Sequence, residues 1–354
     1  MSGALLIGAL RAIEFMLGLC LAILFGSGVR VAVRTKRSRP RLERGYRLLY
    51  ELIHPAGDRT AAADETLVAC LRAMSRSMQE ELILPLGRNL ESSASAPLRR
   101  IARDIGLLGR AERLCRSRFW ERRLRGARTL CALHAGDTVM PRLLRDPHAA
   151  VRAQAAEWAA ANPFEGVVPG LLEMAADHTM LSRFTAQDAL LRLGWIATEP
   201  LAKYLEEHRD EEVEAVLGVA AALPHPAFTA AAILHCDSRN PGVRTRAIEL
   251  LGAVGGAEGA THVARHLEDA DADVRAAAVI ALGRIGHWPR ANAIAERMRD
   301  TSWNVRRAAG LALRALGSPG VLMLRRMTGD RNAFAADMAR QVLDLPAGVD
   351  EVVA

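Results

Sequence analysis

The sequence predicts an all-α protein: a right-handed α-solenoid of about seven or eight helical-hairpin repeats, preceded by one transmembrane helix. Three observations predict it. A short motif recurs along the chain at steps of 29–31 residues. The composition is 50% apolar but only 4% aromatic, and alanine, leucine and arginine dominate it, which favours helix over sheet. Near the start lies a run without a charged residue, Phe15 to Val29.

That run comes first. Extended to Met1 it gains only Arg11 and Glu14, and extended to Val33 only Arg30, so either register supplies the ~20 apolar residues a spanning helix needs. A dense cationic run follows it (Arg30, Arg34, Lys36, Arg37, Arg39, Arg41), the reverse of a cleaved signal peptide's layout. The positive-inside rule then places the N-terminus outside and the body in the cytosol, at the inner membrane. Gly18, Ala22 and Gly26 lie four apart on one helix face, a spacing that lets another membrane helix approach closely.

Residues 1–34 are therefore read as an anchor with a basic flank, and 35–97 as stalk and capping helices. Within that stalk one helix is expected from Leu42 to Ile53. A second is expected from Ala62 to Leu84, stopped by Pro85 and Gly87, before a Ser-rich linker, Glu91 to Pro97. Next comes an arginine-rich stretch whose apolar residues Ile101, Ile105, Leu108 and Leu114 keep helical spacing.

The repeat array is assigned to residues 98–345 and a short tail to 346–354. Two segments define its frame: Asp269 followed by Val274-Arg275, Ala278, Leu282 and Gly286, and Asp300 followed by Val305-Arg306, Ala309, Leu313 and Gly317. The frame also fits Asp146 with Val151-Arg152, Asp177 with Arg183, and Asp237 with Val243-Arg244. Weaker copies centre on Arg123, on Glu214, which stands where the arginine should, and on Ala336. Each period holds two short helices that bury one face against their neighbours. The turn Asp suits an N-cap, and Gly286 and Gly317 suit helix stops.

At these residues the chain resembles the HEAT-repeat family, especially the short bacterial repeats also seen in phycobilin lyases. The resemblance implies a ladder of hydrogen bonds between adjacent repeats, carried by Asp146, Arg152, Asp177, Arg183, Asp269, Arg275, Asp300 and Arg306. It puts the ladder in doubt at Glu214 and Ala336, where the arginine is missing.

Charge and motifs bound the function. The net charge of +7 is uneven: residues 1–45 carry +6, residues 98–128 carry +8, and residues 129–354 carry −5. An array wound on nucleic acid would be expected to carry its basic stripe along its length, which argues against nucleic acid as the partner. The stretch Arg99–Arg128 suits a solvated face, contact with anionic lipid, or contact with an acidic protein partner or nucleic acid. Cys20, Cys70, Cys115, Cys131 and Cys236 are odd in number and lack C-x-x-C spacing, which points to free thiols. There is no P-loop, G-x-S-x-G or H-E-x-x-H motif. His148, His178 and His208 step by 30, but drift against the frame; His262 and His266 share a helix face without a third ligand. No cofactor, metal or catalytic residue is assigned. Trp288 and Trp303 lie at turns or helix ends and are candidate partner contacts. The expected function is a membrane-tethered scaffold that binds proteins of a membrane complex. A lyase-like or small-ligand-binding protein is the alternative, and a nucleic-acid-binding protein using residues 98–128 is a more distant one.

Overall fold

The computed structural model describes residues 40–53, 61–90, 95–209 and 211–346. Among them the chain forms helices and turns, with no strand. It divides into two compact units. The first, within the described residues, comprises residues 40–116 and 128–136; the second comprises 117–127 and everything from Asp137 onward.

In the first unit, helix α1 covers residues 40–53. It is followed by α2 (Ala61–Arg72), α3 (Arg76–Asn89), α4 (Ala96–Asp104) and α5 (Leu107–Cys115). Their apolar faces meet in a core of Leu49, Leu67, Leu71, Leu82, Ile83, Leu98 and Ile101, all nearly or fully buried. A buried Gln79 ties helices together: its Nε2 donates to Leu71 O (2.9 Å), and its Oε1 accepts from Arg110 (2.5 Å). The expected single helix to Leu84 is instead two. Ser75 caps the start of α3 by accepting from Met78 N, and α3 then runs through Pro85 and Gly87 to Asn89. Pro85 is exposed, so water can reach the carbonyl it leaves without a helical donor. Gly87 is not a breaker but a contact: a Cβ there would lie 2.2 Å from Ala132 O.

Helix α6 (Trp120–Ala132) contributes residues to both units. In the second unit short and long helices then alternate. The short ones are α7 (Met140–Leu143), α9 (Val168–Ala175), α11 (Thr198–Glu207), α13 (Thr229–Cys236), α15 (Ala257–Arg265), α17 (Ala291–Glu296) and α19 (Ser318–Met327). The long ones are α8 (Ala149–Ala161), α10 (Met180–Leu193), α12 (Glu211–Ala222), α14 (Pro241–Val254), α16 (Ala272–Ile285), α18 (Trp303–Ala315) and α20 (Ala333–Leu343). Every frame position from 152 to 336 falls on a long helix.

The long helices form one layer and the short helices the other. Small residues bring the long layer close: a Cβ on Gly252 would meet Ala281 Cβ at 2.7 Å, and one on Gly283 would meet Ala312 Cβ at 2.9 Å. The long helices α12, α14, α16 and α18 consequently pack against each other far more extensively than the short helices do. A two-layer stack that is tighter on one side bends toward that side, so the long layer is the concave face of this unit. Gly286 (φ +71°) and Gly317 (φ +70°) end α16 and follow α18 in the conformations that glycine supplies.

Two expectations are corrected. The turn Asp is not the N-cap. Asp269 accepts from Asp271 N (2.9 Å), and it is Asp271 that caps α16 by accepting from Asp273 N and Val274 N. The ladder position thus folds into an Asx turn and leaves the cap two residues downstream. The placement as a single-pass inner-membrane protein is also overturned: among the described residues no helix is long and apolar enough to cross a membrane. The run of residues 1–34, with Gly18, Ala22 and Gly26 and the cations Arg30 to Arg39, lies outside the described residues, while Arg41 is an exposed residue of α1.

Candidate partner-binding groove

The concave face is held in register by guanidinium–carboxylate pairs that bridge successive long helices. Arg275 shows the pattern. Its Nη1 donates to Asp269 O (2.9 Å) and Ala270 O (3.1 Å) in its own turn. Its Nε and Nη2 donate to the two carboxylate oxygens of Asp300 in the next turn, each at 2.8 Å. Arg244 repeats this with Ser238 O, Arg239 O and Asp269. Arg123 does so with Asp146 (2.6 and 2.7 Å), and Arg152 reaches Asp177 and Thr179. The Arg123, Arg244 and Arg275 pairs are planar forks meeting a mostly buried carboxylate, whereas Arg152 reaches Asp177 through Nη2 alone and donates from Nε to Ser182 Oγ (3.1 Å). Burial alone would raise the Asp269 and Asp300 carboxyls. The hydrogen bonds from Arg244 and Arg275, with those from the turn N–H groups, outweigh it and hold both below the usual carboxylate range.

The ladder is incomplete. Twenty-five residues beyond Arg183, where Arg152 and Arg275 find an Asp, the chain has His208. That imidazole is engaged elsewhere: Nδ1 lies 3.0 Å from Tyr204 O, and the ring stacks on Tyr204 at 3.9 Å. Glu214 stands in an arginine position, and its carboxylate lies against Gly242 in the first turn of α14, where a helix N-terminus favours an anion. Arg306 bonds its own turn carbonyls but rests over the Phe334 ring (5.0 Å), while Arg299 takes Asp330. Asp330 thus keeps an arginine fork, but from Arg299 and not from the frame position.

Two grooves run across the concave face. One, of about 690 Å³, crosses α12 to α18; Arg246, Glu249, Ile280, Arg284, Asn304 and Arg307 line it. The other, of about 740 Å³, lies over α10, α12 and the start of α14; Arg183, Gln187, Leu191, Glu212, Glu214 and Gly218 line it. The chemistry on offer is mixed charge with apolar patches, which suits recognition of another surface. Among the described residues no group of His, Cys, Asp and Glu could hold a metal ion.

The tryptophans separate by environment. Trp158 is fully buried. Trp120 stacks on His148 at 3.8 Å. Trp288 and Trp303 are exposed at helix starts, and Arg307 sits 5.8 Å from the Trp303 ring. Sequence reasoning passed over Trp195, which at 84% is the most exposed of the five, because Gly194 at the end of α10 turns it outward. It also missed Met180, Leu181, Phe184 and Leu191, all exposed on α10. Their spacing reads as a helix core face, and only the neighbouring packing reveals otherwise. Of the histidines, His266 is buried 3.6 Å from Asp269 Oδ2, joining the ladder and not His262. Of the arginine-rich stretch, Arg99 donates to His134 O (2.8 Å) and Arg123 to Asp146, so part of that charge is structural.

Residues 262–343 match the family model for HEAT repeats. No curated protein sequence matches the chain. Among solved structures, an engineered protein aligns at 17% identity over 86% of this chain and 98% of its own, with a TM-score of 0.39. The complex of CpcE and CpcF of phycocyanin lyase from Nostoc sp. PCC7120 aligns at 19% identity over 62% of this chain and 92% of its own, with a TM-score of 0.38. Kap95p, in a structure with RanGDP, aligns at 11% identity over 84% of this chain and 51% of its own, with a TM-score of 0.49. No functional residue is carried over from them. HEAT solenoids commonly mediate contact between proteins.

Proposed function

We propose that the chain is a scaffold without chemistry of its own, which binds a protein partner across the concave face of its helical repeats. The observation that carries this reading is the concave layer itself. Arg123, Arg152, Arg244 and Arg275 are spent on ladder pairs that pre-form the surface on either side of α10–α12, and its two grooves place apolar side chains between charges of both signs. A pre-formed surface loses little conformational entropy on binding, and that favours recognition of a folded or helical partner. The exposed Trp303 and Phe334 at the starts of α18 and α20, with Trp288 in the loop before α17, extend the apolar area beyond the grooves.

The test is capture of partners by the immobilised full chain, beside Ile280→Arg and Arg307→Glu variants that alter the groove over α14 to α18 without touching the ladder. A defined protein retained by the wild type and lost in either variant supports the scaffold reading. Equal retention by all three would show that binding does not use the groove over α14 to α18.

A further inference from the structure

The interruption of the ladder falls between α10 and α12, and the structure changes there in three other ways. The two helices pack over far less of their lengths than α8 with α10, α12 with α14 or α14 with α16. The larger of the two grooves opens over them. And α10 leaves Met180 (67%), Leu181 (50%), Phe184 (61%) and Leu191 (38%) exposed, an apolar face left uncovered by the described residues. The interruption and the opening coincide. With His208 in place of the acid, no carboxylate among the described residues meets the Arg183 fork, and the fourteen residues of α10 meet α12 along only part of their length.

The floor of the groove is made by Gly218. It sits inside α12 with helical dihedrals, and a Cβ built on it would meet no atom within 4 Å. Neither backbone strain nor packing within the protein requires glycine there, and a helix-interior glycine costs about 1 kcal/mol relative to alanine. What a bare Cα at this place does is let another backbone approach closely. The charges are unequal. Glu212 and Glu214 have no ion-pair partner among the described residues, and neither does Arg183, whereas the remaining lining arginine, Arg246, is held by Glu249 at 2.8 Å. Glu212 and Glu214 therefore make the described α12 wall acidic.

We propose that the α10–α12 groove docks a cationic amphipathic helix of a partner protein. Its apolar face covers Phe184 and Leu191, its backbone passes over Gly218, and its Lys or Arg side chains meet Glu212 and Glu214. This mode is helix-in-groove recognition, with apolar anchors at helical spacing and flanking charges setting the choice of partner. The inference rests on the scaffold reading and narrows it to one place and one chemistry.

The test uses the full chain and two fluorescent model peptides with one apolar face, a Leu/Lys helix and a Leu/Glu helix, read by anisotropy. The Leu/Lys peptide is expected to bind about tenfold or more tightly than the Leu/Glu peptide, a gap of about 1.4 kcal/mol. Gly218→Trp, which fills open space, is expected to weaken Leu/Lys binding about tenfold while leaving the thermal midpoint within a degree or so. Glu212→Arg, at an exposed site, should narrow the preference between the peptides. Equal binding of the two peptides, or Leu/Lys binding unchanged in Gly218→Trp, overturns the proposal. The two levels separate cleanly. If a captured partner is lost in Ile280→Arg but retained in Gly218→Trp, the scaffold reading stands and this site falls. If the partner is retained in both, both readings fall.

Discussion

Removing the Arg275 side chain tests the ladder directly. Arg275→Ala deletes two charge-assisted hydrogen bonds of 2.8 Å to Asp300, whose side chain is only 4% exposed, and two more to the turn carbonyls of Asp269 and Ala270. The Asp300 carboxylate then keeps only the Ser302 N–H at 2.8 Å. Leaving one member of a buried pair alone typically costs 3–5 kcal/mol, and the surviving turn bond and the nearby solvent place this case at the low end, about 3 kcal/mol. With a urea slope of about 2 kcal/mol per molar, the unfolding transition of the affected repeats should move down by about 1.5 M. Arg183→Ala is the matched control: it lies in the same frame position with no carboxylate partner among the described residues, and should change stability by less than about 0.5 kcal/mol. Urea titration followed by circular dichroism at helical wavelengths measures both. Acidity adds a second readout. The folded Asp300 carboxyl lies below its ordinary value of 3.8, so its contribution is complete above that value and is lost as pH falls below it. The stability gap between wild type and Arg275→Ala should therefore be flat from neutral pH to about pH 5 and shrink toward pH 3. If Arg183→Ala and Arg275→Ala prove equally costly, or the gap ignores pH, the ladder is not what holds the long helices in register.

Gly252→Val should lower stability by about 1–3 kcal/mol in the same urea assay, because its Cβ would meet Ala281 Cβ at 2.7 Å. Gly218→Ala should instead raise stability by up to about 1 kcal/mol, since open space surrounds the new methyl group. Trp158→Ala should cost about 3–5 kcal/mol and Trp195→Ala less than about 0.5, which thermal melts would separate readily. Burial pushes the Cys236 thiol up to about 12, so at pH 8 iodoacetamide should leave it unlabelled in the folded protein and label it in urea, as read by peptide mass spectrometry.

The periodicity was legible because it is written in side chains with fixed duties. Val274, Ala278 and Leu282 face the core at helical spacing, and Asp269, Arg275 and Asp300 must recur at one offset for a fork to reach the next turn. Details that depend on the third dimension were not. Which Asp caps a helix turned on two residues of turn geometry at Asp269 and Asp271. Pro85 reads as a breaker unless its exposure is known, and Gly87 as another unless Ala132 is placed beside it. Glu214 was visible as a departure from the frame, but the loss that matters sits at His208, where no repeat motif marks the missing acid. Phe184 and Leu191 drew no notice, because their helical spacing does not set an exposed face apart from a core one. The apolar run at the N-terminus predicts a spanning helix from hydropathy alone, whereas no helix of the described residues has that length and character.

The arginine forks also say how the second unit would behave as a mechanical object. Arg123 and Arg152 rivet α6, α8 and the turn before α10 into one block, and Arg244 and Arg275 rivet α14, α16 and the turn before α18 into another. Between them the helices are in contact but not riveted. Such a stack is a pair of stiff rods joined at a softer seam, not a uniform spring. Stretched end to end it should yield at α10–α12 first, and amide hydrogens should exchange fastest along that seam. A ligand seated there would splint the two rods into one.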